Sequence, residues 1–83
     1  MNENEYLKIV TPFKDKVFRV AKRLLVSIEE AEDATQEVFL KLWKHRQKLN
    51  DYKSPEAFEI TMTKNWCFDR LKSKQVQNLK IVH

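Results

Sequence analysis

The stretch Ala31-Glu32-Asp33-Ala34-Thr35-Gln36-Glu37-Val38-Phe39-Leu40-Lys41-Leu42-Trp43 decides the fold. Projected at about 100° per residue, it puts Ala31, Ala34, Thr35, Val38 and Leu42 on one stripe, the spacing of a helix that buries one side. The opposite stripe, extended a turn at either end, carries Glu29, Asp33, Gln36, Leu40, Trp43 and Gln47. Two large apolar side chains thus stand among acids and amides where a lone domain would show only charge, which suits a partner surface. Leu40 or Trp43 taken singly is more simply a cover for the end of a neighbouring helix. Five acids between Glu29 and Glu37 are likewise usually a solvated face near a helix start. In combination they suit a partner rich in Arg, whose guanidinium pairs with carboxylates while its stem packs on Trp or Leu.

Ser27 followed by Glu30 is a capping box that starts this helix, which is predicted from about Ile28 to about Lys48. Upstream, Tyr6, Ile9, Val10, Phe13, Val17, Val20, Ala21 and Leu24 recur at helical spacing and predict a first helix over about residues 6–26. Pro12 falls inside that pattern and lacks a backbone donor, so a regular helix beginning at Thr11-Pro12 after a looser turn is an open alternative. Downstream, Asn50 to Lys53 form a polar link, and Ser54-Pro55-Glu56 supplies an N-cap, a first-turn Pro and a first-turn acid. A third helix is predicted over about residues 55–73; Lys74 onward has no stop signal and leaves fraying or continuation open. The whole, residues 1–83, reads as one all-α three-helix domain, in keeping with the absence of Gly and the presence of only two Pro.

Composition narrows the function. The single Cys67 allows no internal disulfide, and no second Cys or nearby His gives it a metal-ligand spacing, so no cofactor is expected and a reduced compartment fits. No apolar run approaches the ~20 residues of a membrane span, and Met1-Asn2-Glu3-Asn4-Glu5 is acidic rather than a signal sequence, so a cytoplasmic protein is expected. His45 and His83 are far from Cys67 in sequence and read as solvent-exposed, and no acid–base or nucleophile motif appears, so an enzyme is not expected. The net charge of +4 divides into −2 over residues 1–40 (six Lys/Arg, eight Asp/Glu) and +6 over residues 41–83 (ten against four). A basic back half is the footprint of a polyanion-binding surface, although basic helical domains are common.

The third helix is apolar on two sides: Ile60, Cys67 and Leu71 form one stripe, and Phe58 with Met62 begins another that continues into Asn65, Asp69 and Lys72. One is expected to be core and the other to meet something. Asn65 and Asp69, four apart, are close enough to interact, and on spacing alone such a pair is more often a structural link than a reader of base edges. Cations and rings interleave from Lys41 to Lys74, the combination with which proteins hold single-stranded nucleic acid. Since most of the rings must build the core, Tyr52 beside Lys53, and after it Trp66, are the ones expected to be free for stacking.

The stretch from Ala31 to Trp43 is similar to region 2.2 of bacterial extracytoplasmic-function sigma factors. Asp15-Lys16-Val17-Phe18-Arg19-Val20-Ala21-Lys22-Arg23-Leu24-Leu25 resembles their region 2.1, and Asn65-Trp66-Cys67-Phe68-Asp69-Arg70-Leu71-Lys72 their region 2.4, so that the likeness runs from about Tyr6 to Lys74. The resemblance implies a region 2 domain whose acidic second helix binds the clamp helices of the RNA polymerase β′ subunit, a role that falls on Asp33, Gln36, Glu37, Leu40 and Trp43. It further implies capture of a flipped base from the non-template single strand of the minus-ten promoter element by Tyr52, Lys53, Lys64 and Asn65, with Asp69 and Arg70 in support. An anti-sigma factor stands as a further candidate partner. Glu59 occupies a position that is usually apolar in the family, and Thr63 one that is usually Ala, which predicts looser packing of the third helix or a different meeting with DNA. The likeness stops where the family's linker to the minus-thirty-five-reading region 4 begins, so region 4 is expected to lie outside this chain, as in an excised domain or a truncated protein; an excised piece should recognise promoters weakly and nonspecifically. The competing expectation is a protein-interaction adaptor, or an inactive sigma relative, whose second helix binds a partner while DNA is never touched.

Overall fold

The computed structural model describes residues 2–51 and 53–82, and the side chains among them except those of residues 50 and 75–82. Among the described residues four α-helices follow one another: α1 (Glu3–Val10), α2 (Lys14–Leu25), α3 (Ile28–Lys44) and α4 (Pro55–Val82). Short 3-10 turns, Thr11–Phe13 and Arg46–Asp51, join α1 to α2 and follow α3. The all-α fold predicted from periodicity is therefore the fold found.

The boundaries differ from the predicted ones, each for a local reason. The first predicted helix is two, because Pro12 cannot donate to the ladder and the chain tightens into the 3-10 turn around it. The residues before Pro12 are themselves helical, started by Asn2, whose side chain accepts from the Glu5 amide at 2.8 Å. α3 stops at Lys44 rather than near Lys48. There the Arg46 guanidinium donates to the Trp43 carbonyl at 2.9 Å and lies 4.0 Å from the centre of the Trp43 ring, and the turn that follows carries Leu49 into the core. α4 continues past Ser73 to Val82, since neither Gly nor Pro interrupts it and Lys74 forms an ion pair with Glu30 of α3.

That ion pair also alters the predicted capping box. Ser27 Oγ accepts from the Glu30 amide at 3.2 Å, which is one half of the motif, while the Glu30 carboxylate turns to Lys74 instead of back to the Ser27 amide. Ser54 caps α4 as expected, its Oγ accepting from the Ala57 amide at 3.2 Å.

Two joined clusters make the core. Tyr6, Val10, Val17, Val38, Leu42 and Leu49 form one; Ala21, Leu25, Ala31, Ala34 and Cys67 form the other. α2 lies centrally, packed on both α3 and α4. The small side chains Ala21, Ala31 and Ala34, all fully buried, leave little between the helix backbones in the second cluster. All five residues of the predicted stripe on α3 are buried, and Thr35 satisfies its hydroxyl on the Ala31 carbonyl at 2.7 Å.

Two apolar sides were expected on the third helix, one of them core, and neither is the inward face as a whole: Glu59, Thr63 and Cys67 are fully buried, while Ile60 and Leu71 of one side and Phe58 and Met62 of the other are half-buried. Thr63 donates to the Glu59 carbonyl at 2.7 Å. Polar side chains at 59 and 63 masked this stripe in the sequence. Among the described residues no helix is long and apolar enough to cross a membrane, and no group of three or more His, Cys, Asp or Glu is placed to hold a metal ion.

Between α2 and α3 the chain turns on Val26, a left-handed residue at φ 55° and ψ 34° whose amide donates to the Lys22 carbonyl at 2.8 Å. Glycine usually takes this position, and a β-branched residue is strained there by roughly 1–2 kcal/mol. Val26 is 86% exposed, so replacing it forfeits almost no packing. Val26→Asn or Val26→Gly is expected to stabilise the domain by about 1 kcal/mol, raising the thermal midpoint by roughly 4–8 °C for a domain of this size. A calorimetric midpoint that stays put or falls would contradict the strained turn.

Candidate functional site

Leu40 stands opposite the buried stripe of α3, 56% exposed, with exposed Asp33 and Gln36 and half-buried Glu37 in the turns before it. The helix fixes this placement, since five inward residues leave the reverse face to these four. Trp43 sits differently. It is half-buried, its ring edge-on to Tyr6 with centroids 5.0 Å apart, and Arg46 covers another side. Leu40 is thus a free apolar knob, whereas Trp43 is the wall that joins this face to α1.

Tyr6 holds that wall. Its hydroxyl donates to the Phe39 carbonyl at 2.6 Å, tying α1 to α3, and burial together with the nearby Glu59 carboxyl pushes its pKa up to about 12. A groove of about 770 Å³ opens between α1 and α3, walled by Leu7, Val10, Phe39, Leu40 and Trp43 with Gln36 at its rim. Leu7, 45% exposed, was not among the residues picked out in the sequence. It falls off the stripe of Tyr6 and Val10 that buries α1, and that offset was the available signal.

A second depression lies between the end of α3 and α4. Asn65 and Asp69 line it together with Lys41, Lys44, His45, Thr61 and Trp66, and Phe58 and Met62 form its apolar side. Two of the predicted nucleic-acid residues therefore meet, joined by two lysines and a histidine from α3 and its cap. Lys41 and Lys44 were legible only as part of a basic run and His45 only as an exposed side chain, because nothing in the spacing shows that the end of α3 runs beside the middle of α4. His45 is exposed, as expected, and His83 lies outside the described residues.

The remaining predicted residues are spread out. Lys64 lines a third groove, between α2 and α4, with Lys16, Arg23 and Phe68. Arg70 is exposed and lines neither this groove nor the α3–α4 depression; Lys53 is exposed just before the Ser54 cap, and Tyr52 lies outside the described residues. The expectation about free rings needs amending: Trp66 is half-buried, and Phe68 is 53% exposed. Cys67 is buried, and burial pushes its thiol up, away from reactivity.

Beneath these surfaces Glu59 is fully enclosed, and among the described residues neither oxygen of its carboxyl has a hydrogen-bond partner. Burial, followed by the charge of Glu56, pushes its pKa up to about 8. The folded domain thus keeps this proton over a range in which the unfolded chain, with an ordinary carboxylate near ~4.3, has released it. The folded state binds more protons there, so stability falls as pH rises from the ordinary carboxylate range through about 8. Between pH 5.5 and 8.5 the loss is expected to be on the order of 3 kcal/mol, and Glu59→Gln to abolish most of it. Urea midpoints at the two pH values check this; a wild-type midpoint no lower at the alkaline end would refute it.

Comparison with known proteins bears on what these surfaces serve. The sigma-70 region 2 family matches residues 9–76. The ECF RNA polymerase sigma factor SigW of Bacillus subtilis (strain 168) is 24% identical over 74 residues, which cover 89% of this chain and 40% of that protein. The chain therefore spans less than half the length of this relative. No solved structure matches the chain.

Proposed function

The chain belongs to the sigma-70 region 2 family, and on that footing we propose that it serves in transcription initiation, joining RNA polymerase core to the minus-ten element of a promoter. In this proposal the outer face of α3 meets the clamp helices of the polymerase β′ subunit, with Leu40 as the apolar anchor and Asp33, Gln36 and Glu37 around it. Trp43 backs the anchor from the α1 side. Carboxylates beside an apolar knob receive Arg side chains in two ways, pairing with the guanidinium while the stem packs on Leu40.

DNA is proposed to lie across the basic half. The depression of Lys41, Lys44, His45, Asn65 and Asp69 has cations for phosphates and, in Asn65, a side chain that both donates and accepts hydrogen bonds. A base flipped from the non-template strand costs a few kcal/mol of stacking, which these contacts offset together with Tyr52 and Lys53 from the preceding link, Lys64 on the adjoining flank, and Arg70 in support. An anti-sigma factor that covered the α3 face would compete with polymerase.

The exposure of Leu40 amid acids, on the side of α3 away from the core, is the observation that carries the reading. Because Leu40 buries little within the domain, its replacement separates binding from folding. Asp33→Ala with Leu40→Ala is expected to weaken capture of a β′ clamp-helix fragment on the order of tenfold or more, with helicity by circular dichroism unchanged. Undiminished capture removes the assignment. For DNA, a non-template minus-ten single strand should bind with an affinity that falls steeply from low to moderate salt. If no strand binds at low salt while the β′ fragment does, the domain is an adaptor rather than a promoter-opening one.

A further inference from the structure

α4 presents a second flank beside the Asn65 depression, of which the proposed base-capture site uses Lys64 alone. Here α2 and α4 form a groove whose floor and sides are Val20, Leu24 and Ile60, with Lys16, Arg23 and Lys64 along its edges. Lys16 is paired with Glu56. Arg23 and Lys64 are both exposed, and neither forms an ion pair among the described residues. At one end of the groove the ring of Phe68 is left 53% exposed.

Leaving a phenylalanine half in water forgoes part of the roughly 1.5–3 kcal/mol its burial would give, and a single such residue is ordinary on a protein surface. The position of this one is more informative. Phe68 follows Asn65 by three residues and stands four from both Lys64 and Lys72, so all four are neighbours on one helix surface. The ring therefore sits on the crest between the two depressions of α4, with an exposed cation one turn before it and another one turn after it. A flat ring set among cations that form no ion pair among the described residues, beside the depression that holds Asn65, fits a polyanion that carries aromatic bases. A protein partner would bring carboxylates for the cations but no need for the crest's continuity with Asn65.

We infer that the α2–α4 groove is a second nucleotide subsite, in which Phe68 stacks a base of single-stranded DNA while Arg23, Lys64 and Lys72 hold the flanking phosphates. The inference rests on the proposal that the α3–α4 depression captures an unpaired base, and it adds the strand's course: across the crest of α4, from Asn65 to Phe68. Stacking on an aromatic ring tolerates any base, so the subsite contributes affinity and register rather than sequence preference.

Anisotropy titrations of the 83-residue chain with labelled oligothymidylates, one of about four nucleotides and one of about twelve, separate the two subsites. Phe68→Leu keeps the apolar bulk and removes the ring. It is expected to weaken binding of the long strand on the order of tenfold while leaving the short strand, which occupies one subsite, much less affected. Phe68→Tyr should restore the long-strand affinity, and Lys64→Gln should lower the salt dependence of binding by about one phosphate contact. Helicity by circular dichroism is expected to be the same in all variants. Wild type that fails to bind the long strand at low salt removes the reading on which the inference rests. Wild type that binds it no better than Phe68→Leu overturns the subsite alone and leaves the Asn65 depression standing.

Discussion

Everything in the domain depends on α3 being covered on one side only. Ala31, Ala34, Thr35, Val38 and Leu42 are buried against α2 and α4, and Leu42 alone, fully enclosed, is worth about 2–5 kcal/mol against Ala. Among the described residues no element covers the reverse side at Leu40, which is left 56% exposed. The acids and Leu40 are therefore held outward by the same packing that makes the core, and any partner meets a surface whose backbone is already fixed. A preformed face of this kind spares binding the cost of ordering a segment.

α4 is the counterpart, a helix with three tasks around its circumference. Inward it gives Glu59, Thr63 and Cys67; toward α3 it lines the depression of Asn65 and Asp69; toward α2 it lines the groove of Lys64 and Phe68. Its inward stripe is the least economical part of the fold. Thr63 returns its hydroxyl to its own helix, but the Glu59 carboxyl finds no partner among the described residues and stays protonated near neutrality. An apolar residue at 59 would pack there without that dependence on pH. Tyr6 shares the same neighbourhood, so the proton on Glu59, the hydroxyl bond to Phe39 and the edge-on contact with Trp43 form one connected support beneath the α1–α3 groove.

How much of this was legible in the sequence follows from periodicity and caps. The α3 stripe, the Ser27 and Ser54 caps and the all-helical class were readable because each is written within a few residues of chain. Pro12 announced a break but not the helix before it. Glu59 and Thr63 hid the inward face of α4, since a rule that looks for apolar residues passes over a buried carboxyl. The site residues divide along the same line. Asp33, Gln36 and Leu40 could be grouped from one helix, whereas Lys44 and His45 join Asn65 only through the angle at which α3 passes α4. Trp43 looked as free as Leu40 on the helical projection, and only the position of Tyr6 separates them. Phe68 was discounted because rings belong in cores, a rule that fails on a helix whose inward stripe is already filled.

A thiol placed at position 40 tests the central claim most directly, because Cys67 is buried and its thiol suppressed, so Leu40→Cys supplies the reactive group. Its maleimide labelling rate would be followed alone and with RNA polymerase core added. Rapid labelling of the free domain, with protection once core is present, is the result the account predicts. Slow labelling of the free domain, or labelling at an unchanged rate in a core-bound sample, would contradict it.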